Sequence, residues 1–255
     1  MSELRIEYLT SPEVALALER GMRTAVLPLG ATEQHGAHLP LCVDSEHADR
    51  LAVLVAQRLG DALVLPTVRV GCSPHHLDFA GTVSLRAATL EAICLDHCTS
   101  LAAHGFRRVL IFSAHLGNHP VLGEIGPKLA ARLPSGPEVI AFADSAAVLD
   151  AWRGAAQRLA GLAGHVGGHA DVAESSIMLA VRPDLVRDER AAAGFTGVMD
   201  DELLARVLTS GVKAVAPGGV LGDPQGMSSE LGFSCLEAVA DLLVAHATAR
   251  YRPLA

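Results

Sequence analysis

The sequence has few aromatic residues, few positive charges and no long uncharged hydrophobic run. Aromatic residues make up 4% of the 255 residues, and 20 Lys and Arg stand against 28 Asp and Glu, for a net charge of −8 at pH 7. This acidic balance argues against a nucleic-acid-binding surface. No uncharged apolar stretch reaches about 18 residues, so no membrane span is predicted. The charged N-terminal segment does not resemble a signal peptide, and we expect a cytoplasmic protein.

Cysteines and nucleotide-binding glycine motifs are also sparse. The five cysteines are odd in number and form no CxxC pair, which argues against a disulfide framework. Cys94 and Cys98 lie four residues apart on a predicted helix and are interpreted as small buried side chains. The glycine-rich segments 71–81, 161–168 and 218–222 are predicted to be loops. None contains GxGxxG or a P-loop, so no nucleotide cofactor is indicated.

What the sequence does contain is an alternation of strand and helix patterns. Hydrophobic residues make up 50% of the chain, enough for a sizeable core. The patterns predict strands over residues 25–29, 62–65, 108–112 and 139–143, and helices over residues 45–59, 90–104, 120–133, 146–162, 174–181 and 228–250. This order predicts an α/β fold with a mainly parallel sheet flanked by helices on both faces, in three layers. With no linker, residues 1–255 are expected to form a single domain.

Metal-ligand side chains follow the first predicted strand, residues 25–29. The chain presents Glu33, His35, His38 and Asp44 within the segment LPLGATEQHGAHLPLCVD. Carboxylates and imidazoles are the ligands that divalent transition metals prefer. An open α/β sheet usually builds its site just past the carboxyl ends of its strands. The segment therefore predicts a metal site, with Asp44 near the N-cap of the following helix.

Further ligand-type side chains are expected at the same edge of the sheet. His115 follows strand 108–112, and His169 and Glu174 flank the start of helix 174–181. Another loop contributes His75, His76 and Asp78. Two metal ions need about five or six protein ligands, including a bridging carboxylate, together with a bridging water. The candidate set is Glu33, His35, Asp44, His115 and Glu174. It suits Zn, Mn or Fe without discriminating among them.

Four motifs in order, and a fifth segment, resemble the creatininase family of metal-dependent amidohydrolases. They are TEQHGAHLPLCVD (32–44), FAGTVSL (79–85), FSAHLGN (112–118), GGHADVAESS (167–176) and GVLGDP (219–224). The first is similar to the family's Ser/Thr-Glu-Gln-His-Gly-x-His-Leu-Pro-x-x-x-Asp pattern. The resemblance covers about residues 25 to 245. It implies a creatininase-like α/β fold, two divalent metal ions per chain, most often Zn or Mn, a small-molecule substrate and a homo-oligomer, often a hexamer.

The resemblance also implies a role for each candidate residue. By motif position, one metal is held by Glu33 and His115 and the other by His35 and Glu174, with Asp44 bridging the two ions. His169 falls on the family's catalytic or supporting histidine, so the implied catalytic residues are His169 and Glu174. The motifs leave the roles of His38, His76, His165 and Asp171 open, although Asp171 could orient His169.

Some positions depart from the family's creatinine-cleaving members. Those members carry tyrosine and then a glutamate ligand after the third histidine, where this chain has Leu116 and Gly117. They also close tryptophans over the substrate, whereas the single tryptophan here is Trp152. Creatinine is therefore not the expected substrate. Other branches cleave a formamide of a flavin-type precursor, a peptide bond of a redox-cofactor precursor peptide, or a carbon–carbon bond of an inositol derivative.

The resulting hypothesis is hydrolysis of an amide, formamide or cyclic amide in a small molecule or short peptide. A hydroxide bridging the metals attacks the carbonyl, one metal stabilises the oxyanion, and His169 protonates the leaving nitrogen. A mononuclear lyase acting on a carbohydrate stays open as an alternative. A metal-stabilised assembly protein without activity is a second, disfavoured alternative, because structural metal sites are usually closed and often rich in thiolates.

Overall fold

The computed structural model describes residues 3–198 and 201–252, and its centre is a parallel β-sheet. The sheet contains β1 (Thr24–Leu29), β2 (Ala62–Val64), β3 (Arg108–Ser113) and β4 (Glu138–Ala141), in the order β2-β1-β3-β4. All neighbouring pairs are parallel. The sheet predicted from the sequence is confirmed, with strand bounds that differ by one or two residues.

Eight helices are found in the described part of the chain. They are α1 (Ser11–Glu19), α2 (Val43–Leu59), α3 (Ala87–Ala103), α4 (His119–Arg132), α5 (Ser145–Ala160), α6 (Val172–Val181), α7 (Asp201–Ser210) and α8 (Ser229–Arg250). The sequence patterns predicted six of them and missed α1 and α7. Both missed helices are short, and neither covers the main sheet with a long apolar stripe of the kind that marks a core helix.

The three layers follow from the alternation of side chains along each strand. In β1, Val26 points to one face and packs in a cluster with Trp152 of α5 and Leu236 of α8. Its neighbour Leu27 points to the other face and packs in a cluster with Leu90 of α3 and with α1 and α4. Successive strand residues face opposite sides of a sheet, so every strand contributes to both cores. The predicted three-layer arrangement is confirmed.

Two short strands outside the main sheet were predicted to be loops. β5 (Val166–His169) and β6 (Leu221–Gly222) form an antiparallel pair. Glycine composition predicted loops here because β5 has only one long apolar side chain. Tertiary pairing with β6 overrides that local preference. The consequence for function is that β5 carries His169 to the start of α6.

All six predicted helices begin one to three residues from their predicted positions. Cys42 occupies the N-cap of α2, so Asp44 lies inside the first helical turn and not at the cap. A carboxylate is also favourable there, because the helix dipole is positive at its N-terminus. α3 begins three residues earlier than predicted, since Arg86 is still extended and the following Ala87-Ala88 pair is compatible with helix.

Within the described residues, α8 is the helix long and apolar enough to span a bilayer by length and composition. Its apolar residues, including Leu236, Val239 and Leu243, are buried in the core beside α2, α5 and α6. A core helix meets the same criterion, and α8 contributes to the core of one face of the sheet.

Candidate metal centre

The predicted ligands meet at the carboxyl end of the two central strands. β1 and β3 run side by side, with Leu29 opposite Ser113 at their ends. Glu33 and His35 follow β1, and His115 follows β3. Asp44 comes from the first turn of α2 and Glu174 from the first turn of α6. All five side chains are at most 4% exposed, so the cluster is shielded from water.

Asp44 stands between two groups of these side chains. Its Oδ2 is 3.6 Å from Nδ1 of His115, which is itself 3.3 Å from Oε1 of Glu33. Its Oδ1 is 3.5 Å from Nε2 of His35, which is 3.5 Å from Oε2 of Glu174. Each group offers three ligand atoms within 4.8 Å of one another. The carboxylate of Asp44 is thus shared by the two groups, with one oxygen facing two further side chains on each side.

Several potential metal-binding atoms of this cluster are buried without hydrogen-bond partners. Among the described residues, these atoms include both carboxylate oxygens of Glu33, Nε2 of His35 and Oδ2 of Asp44. Buried polar atoms are normally hydrogen-bonded, because an unsatisfied one costs about 1–3 kcal/mol. Carboxylate and imidazole donors that converge without partners fit a divalent metal, which would satisfy all of them at once.

The neighbouring carboxylates raise the pKa values of the histidines in the two groups. Burial by itself lowers the pKa of His35, but Asp44 and Glu174 raise it to about 10. Burial likewise lowers the pKa of His115, while Glu33 and Asp44 raise it to about 9. The carboxylates therefore create a strongly negative environment that attracts either protons or metal cations.

The pKa values of two carboxylates in the cluster are shifted in opposite directions. Burial, together with the charges of Asp44 and Asp171, raises the pKa of Glu174 to about 8. Burial also acts to raise the pKa of Glu33, yet His115 and the neighbouring histidines hold it well below its usual range. Three buried carboxylates in one small volume need positive charge, and divalent cations supply it most compactly.

His169 faces the same cluster from β5. Its Nδ1 is 3.7 Å from Oε1 of Glu33 and 4.0 Å from Oε2 of Glu174. Burial, reinforced by the charge of His35, lowers the pKa of His169 to about 3, so its imidazole is neutral at pH 7. A neutral imidazole beside the cluster has the position and protonation state of a general base or a further ligand.

The structure places the four histidine and aspartate side chains whose roles the motifs left open. Nε2 of His76 lies 3.4 Å from Oε1 of Glu33, inside the site. His38 is buried beside it and contacts Ser175 Oγ at 2.8 Å. His165 lies outside the cluster, where its Nδ1 is 3.1 Å from the carbonyl of Gln225.

Asp171 does not orient His169. Its carboxylate accepts four backbone N–H bonds, from Gly167, Gly168, Ala173 and Glu174, at 2.8–3.1 Å. It is the N-cap of α6, so its oxygens are committed to the helix start. The residue positions Glu174 by fixing the first turn of α6.

Close packing of the loops around the cluster depends on small and polar residues. A Cβ at Gly117 would come within 2.3 Å of Nε2 of His115, so glycine at this position lets the backbone approach the ring closely. Asn118 joins the loops after β1, β2 and β3, because it accepts from Cys72 N and donates to the Gly30 carbonyl and to Ser113 Oγ.

Sequence reasoning gave no role to Gln34 and left His76 unassigned. Gln34 is 5% exposed, and its side-chain amide contacts both His76 and His169. The available signal was its position between two predicted ligands. His76 belonged to a loop already rich in ligand-type residues, but only the tertiary structure shows that this loop closes over Glu33.

Comparison with known proteins identifies the family. The model of the family described as "Creatininase: Creatinine amidohydrolase" matches residues 7–247. The chain belongs to the creatininase family. A mycofactocin precursor peptide peptidase from Mycobacterium ulcerans is 32% identical over 236 residues, covering 89% of this chain and 85% of that protein. A creatinine amidohydrolase from Pseudomonas putida is 34% identical over 194 residues, covering 71% of this chain and 73% of that protein.

Solved creatininase structures share the fold. A crystal structure of creatinine amidohydrolase superposes with a TM-score of 0.82 at 28% identity, covering 100% of both chains. A mutant creatininase of Zn-Zn type (TM-score 0.82, 27% identity) and a structure named Creatininase Mn (TM-score 0.80, 26% identity) each cover 99% of this chain and 100% of theirs.

This creatininase-family member is an amidohydrolase, an enzyme that hydrolyses carbon–nitrogen bonds. Its three-layer α/β fold is shared with a solved creatinine amidohydrolase, and its buried carboxylates and imidazoles form groups that fit a metal ion. Trp152 is 0% exposed and packs in the core beside His47. The single tryptophan of this chain is therefore part of the core.

Proposed function

We propose that the chain is a binuclear metal-dependent amidohydrolase. The observation that carries the proposal is Asp44, which belongs to two three-residue groups and whose two oxygens face His35 and His115. In this proposal Glu33 and His115 hold one ion, His35 and Glu174 hold the other, and Asp44 bridges them. Zn is the preferred metal, with Mn and Fe as alternatives, since carboxylate and imidazole ligands suit all three.

The chain's own residues divide the remaining tasks. Two bound divalent ions would activate a water and polarise a substrate carbonyl. His169 accepts the proton that this water releases when its oxygen bonds to the carbonyl carbon. It returns that proton to the nitrogen as the C–N bond breaks, so that an amine leaves. Glu174 takes part in catalysis as a ligand fixed by the Asp171 cap, and the burial of the cluster excludes bulk water.

We propose a linear amide in a short peptide or small molecule as the substrate. The relative named as a precursor peptide peptidase matches 89% of this chain. Creatinine is the second candidate, favoured by the relative from Pseudomonas putida at 34% identity. Against creatinine stand Leu116 and Gly117 after the third histidine, and Trp152, which lies in the core.

Elemental analysis and an amine-release assay test the proposal. Protein purified without added metal or chelator is analysed for metal per chain and then incubated with formamides, cyclic amides including creatinine, and short peptides. Two equivalents of Zn, Mn or Fe and release of an amine support the proposal. One equivalent favours a mononuclear centre, and one equivalent without release of an amine favours the lyase alternative. No metal, even after incubation with Zn and Mn, contradicts it.

Assembly, domain organisation and location are proposed from the resemblance. We expect a cytoplasmic homo-oligomer, a hexamer by analogy, in which residues 1–255 form one domain. Light scattering coupled to size-exclusion chromatography measures the assembly. A single cooperative unfolding transition is expected for one domain, and two resolved transitions would contradict that expectation.

A further inference from the structure

We infer that Gln34 and His76 are positioning residues for the metal centre, with Gln34 fixing the tautomers of His76 and His169. The inference deepens the proposed function and rests on it for its consequence in metal binding. Its structural basis is a buried hydrogen-bond network around one side-chain amide. Gln34, His76 and His169 are each at most 6% exposed, so water does not compete for these bonds.

The orientation of the Gln34 amide follows from its two backbone partners. Oε1 of Gln34 lies 3.0 Å from the N–H of Gly36, which can only donate. Nε2 of Gln34 lies 3.1 Å from the carbonyl of Gly219, which can only accept. Oε1 is therefore the acceptor and Nε2 the donor, and one of the two N–H groups is used on Gly219.

The second N–H of Gln34 decides the tautomer of His76. Nε2 of Gln34 is 2.8 Å from Nδ1 of His76 and 2.9 Å from Nε2 of His169. Nε2 of His169 also lies 2.9 Å from the backbone carbonyl of Gln34, which requires it to carry a hydrogen. His169 Nε2 is thus a donor, and the remaining N–H of Gln34 goes to Nδ1 of His76.

Both imidazoles then present defined nitrogens to the cluster. His76 accepts at Nδ1, so its Nε2 carries the hydrogen and points at Oε1 of Glu33, 3.4 Å away. His169 carries its hydrogen on Nε2, so Nδ1 presents a lone pair 3.7 Å from the same oxygen. One histidine donates toward the Glu33 carboxylate while the other offers a base at the reacting centre. A supporting partner that fixes a ligand in this way tunes metal affinity and reactivity.

Nuclear magnetic resonance tests the tautomers without any assay of activity. Long-range proton–nitrogen correlation spectra of the metal-free and zinc-loaded protein show which ring nitrogen carries hydrogen, and the spectra of His76→Gln and His169→Ala assign the signals. We expect hydrogen on Nε2 of both His76 and His169. In Gln34→Glu, a nearly isosteric side chain that cannot donate, His76 should carry hydrogen on Nδ1. Hydrogen on Nδ1 of His76 in the parent protein, or an unchanged His76 tautomer in Gln34→Glu, overturns the inference.

A pair of variants at His76 tests the consequence for metal binding. The amide of glutamine reaches the place of the imidazole Nε2 and keeps a donor toward Glu33, whereas the shorter asparagine reaches only the place of Nδ1. In competition titrations with a zinc chelator, His76→Asn should weaken one of the two zinc ions by about 10–100-fold, and His76→Gln should stay within about threefold of the parent. Equal affinities in the two variants contradict a positioning role.

Failure of this inference can be told apart from failure of the proposed function. If the protein binds two zinc ions but the tautomers differ from those expected, only the inference about Gln34 and His76 is contradicted. If the tautomers are as expected but no metal binds, the proposal of a binuclear centre is contradicted and the hydrogen-bond network is supported. Thermal unfolding of each variant shows whether it is folded, and the spectra of the parent protein test the inference even where a variant does not fold.

Discussion

The side-chain amide of Gln34 lies so close to Gly219 that a side chain at position 219 would displace it. A Cβ at Gly219 would stand 1.9 Å from Oε1 of Gln34, and its φ is +78°, in the left-handed region. The glycine of the fifth sequence segment, far along the chain from the metal ligands, is thus in contact with the residue that joins two histidines of the site.

Gly219→Ala is expected to damage both stability and the site. The left-handed backbone costs about 1–2 kcal/mol for a residue with a Cβ, and the overlap displaces Gln34 in addition. Gly218→Ala is the matched control, because a Cβ there meets nothing within 4 Å. Urea unfolding and zinc titration measure the two effects. Equal stability and equal zinc binding in the two variants would show that Gln34 does not depend on Gly219.

Asp44→Ala is expected to abolish binding of both metal ions and to remove activity with them. The reason is that Asp44 contributes one oxygen to each group, at 3.5 Å from His35 and 3.6 Å from His115. Glu174→Ala should lose only the ion beside His35. Asp96→Ala, an exposed acid on α3, is the control. Metal per chain is measured by elemental analysis, and two ions in Asp44→Ala would disprove the bridging role.

His169→Ala is expected to keep its metal ions while turnover falls by about 10²–10⁴-fold, the usual contribution of a general acid–base residue. His169 lies 3.7–4.0 Å from Glu33 and Glu174, beside the two groups that share Asp44. The exposed His104, which directly follows α3, is changed to Ala as the control. Loss of one ion in His169→Ala would instead make this residue a ligand.

Removal of metal is expected to destabilise the fold. Without cations, Glu33, Asp44 and Glu174 are buried with several unpartnered donor atoms. A ligand at 100 times its Kd stabilises the native state by about 2.7 kcal/mol for one site. Thermal unfolding with chelator, and again after zinc is restored, measures the difference. In Asp44→Ala, restoring zinc after chelation should change the unfolding temperature very little. An increase as large as that of the parent protein would place the stabilising ion elsewhere.

Acid should destabilise the protein partly through His119, the first residue of α4. Burial lowers the pKa of His119 from 6.5 to about 4, so the native state prefers the neutral ring. A base with a lowered pKa contributes stability above pH 6.5 that is lost as the pH falls toward 4, by up to about 3 kcal/mol. His119→Gln should flatten that part of the stability curve. Urea unfolding of chelated protein from pH 7 to pH 4.5 measures it, with His104→Gln as control, and parallel curves for the parent and His119→Gln would contradict the assignment.

The central sheet and the candidate ligands were predictable because short, local sequence patterns indicate both. β1 and β3 are short, largely apolar runs, and carboxylate or imidazole side chains follow each of them within a few residues. Parallel strands bring their carboxyl ends to one edge, so Glu33 and His115 were expected to meet. Helix bounds were less accurate: Asp44 was placed near the N-cap, and the structure has Cys42 there.

Other features had no local signal. Glycine-rich residues 166–169 form a strand because β6 pairs with them, and their composition alone favours a loop. Asp171 was considered a partner for His169, but its oxygens accept hydrogen bonds from four backbone N–H groups. This arrangement depends on how the chain turns between β5 and α6.

By itself, the sequence determined the α/β alternation, the family resemblance and the residue types of a metal centre, because strand periodicity and ligand spacing act over a few residues. Only the tertiary structure decided that Asp44 faces both groups and that Gln34 reaches His76, His169 and Gly219. The contacts of Gln34 join positions 42 to 185 residues apart in the chain. Residues so far apart in the sequence are brought into contact by the packing of the core, which no local pattern encodes.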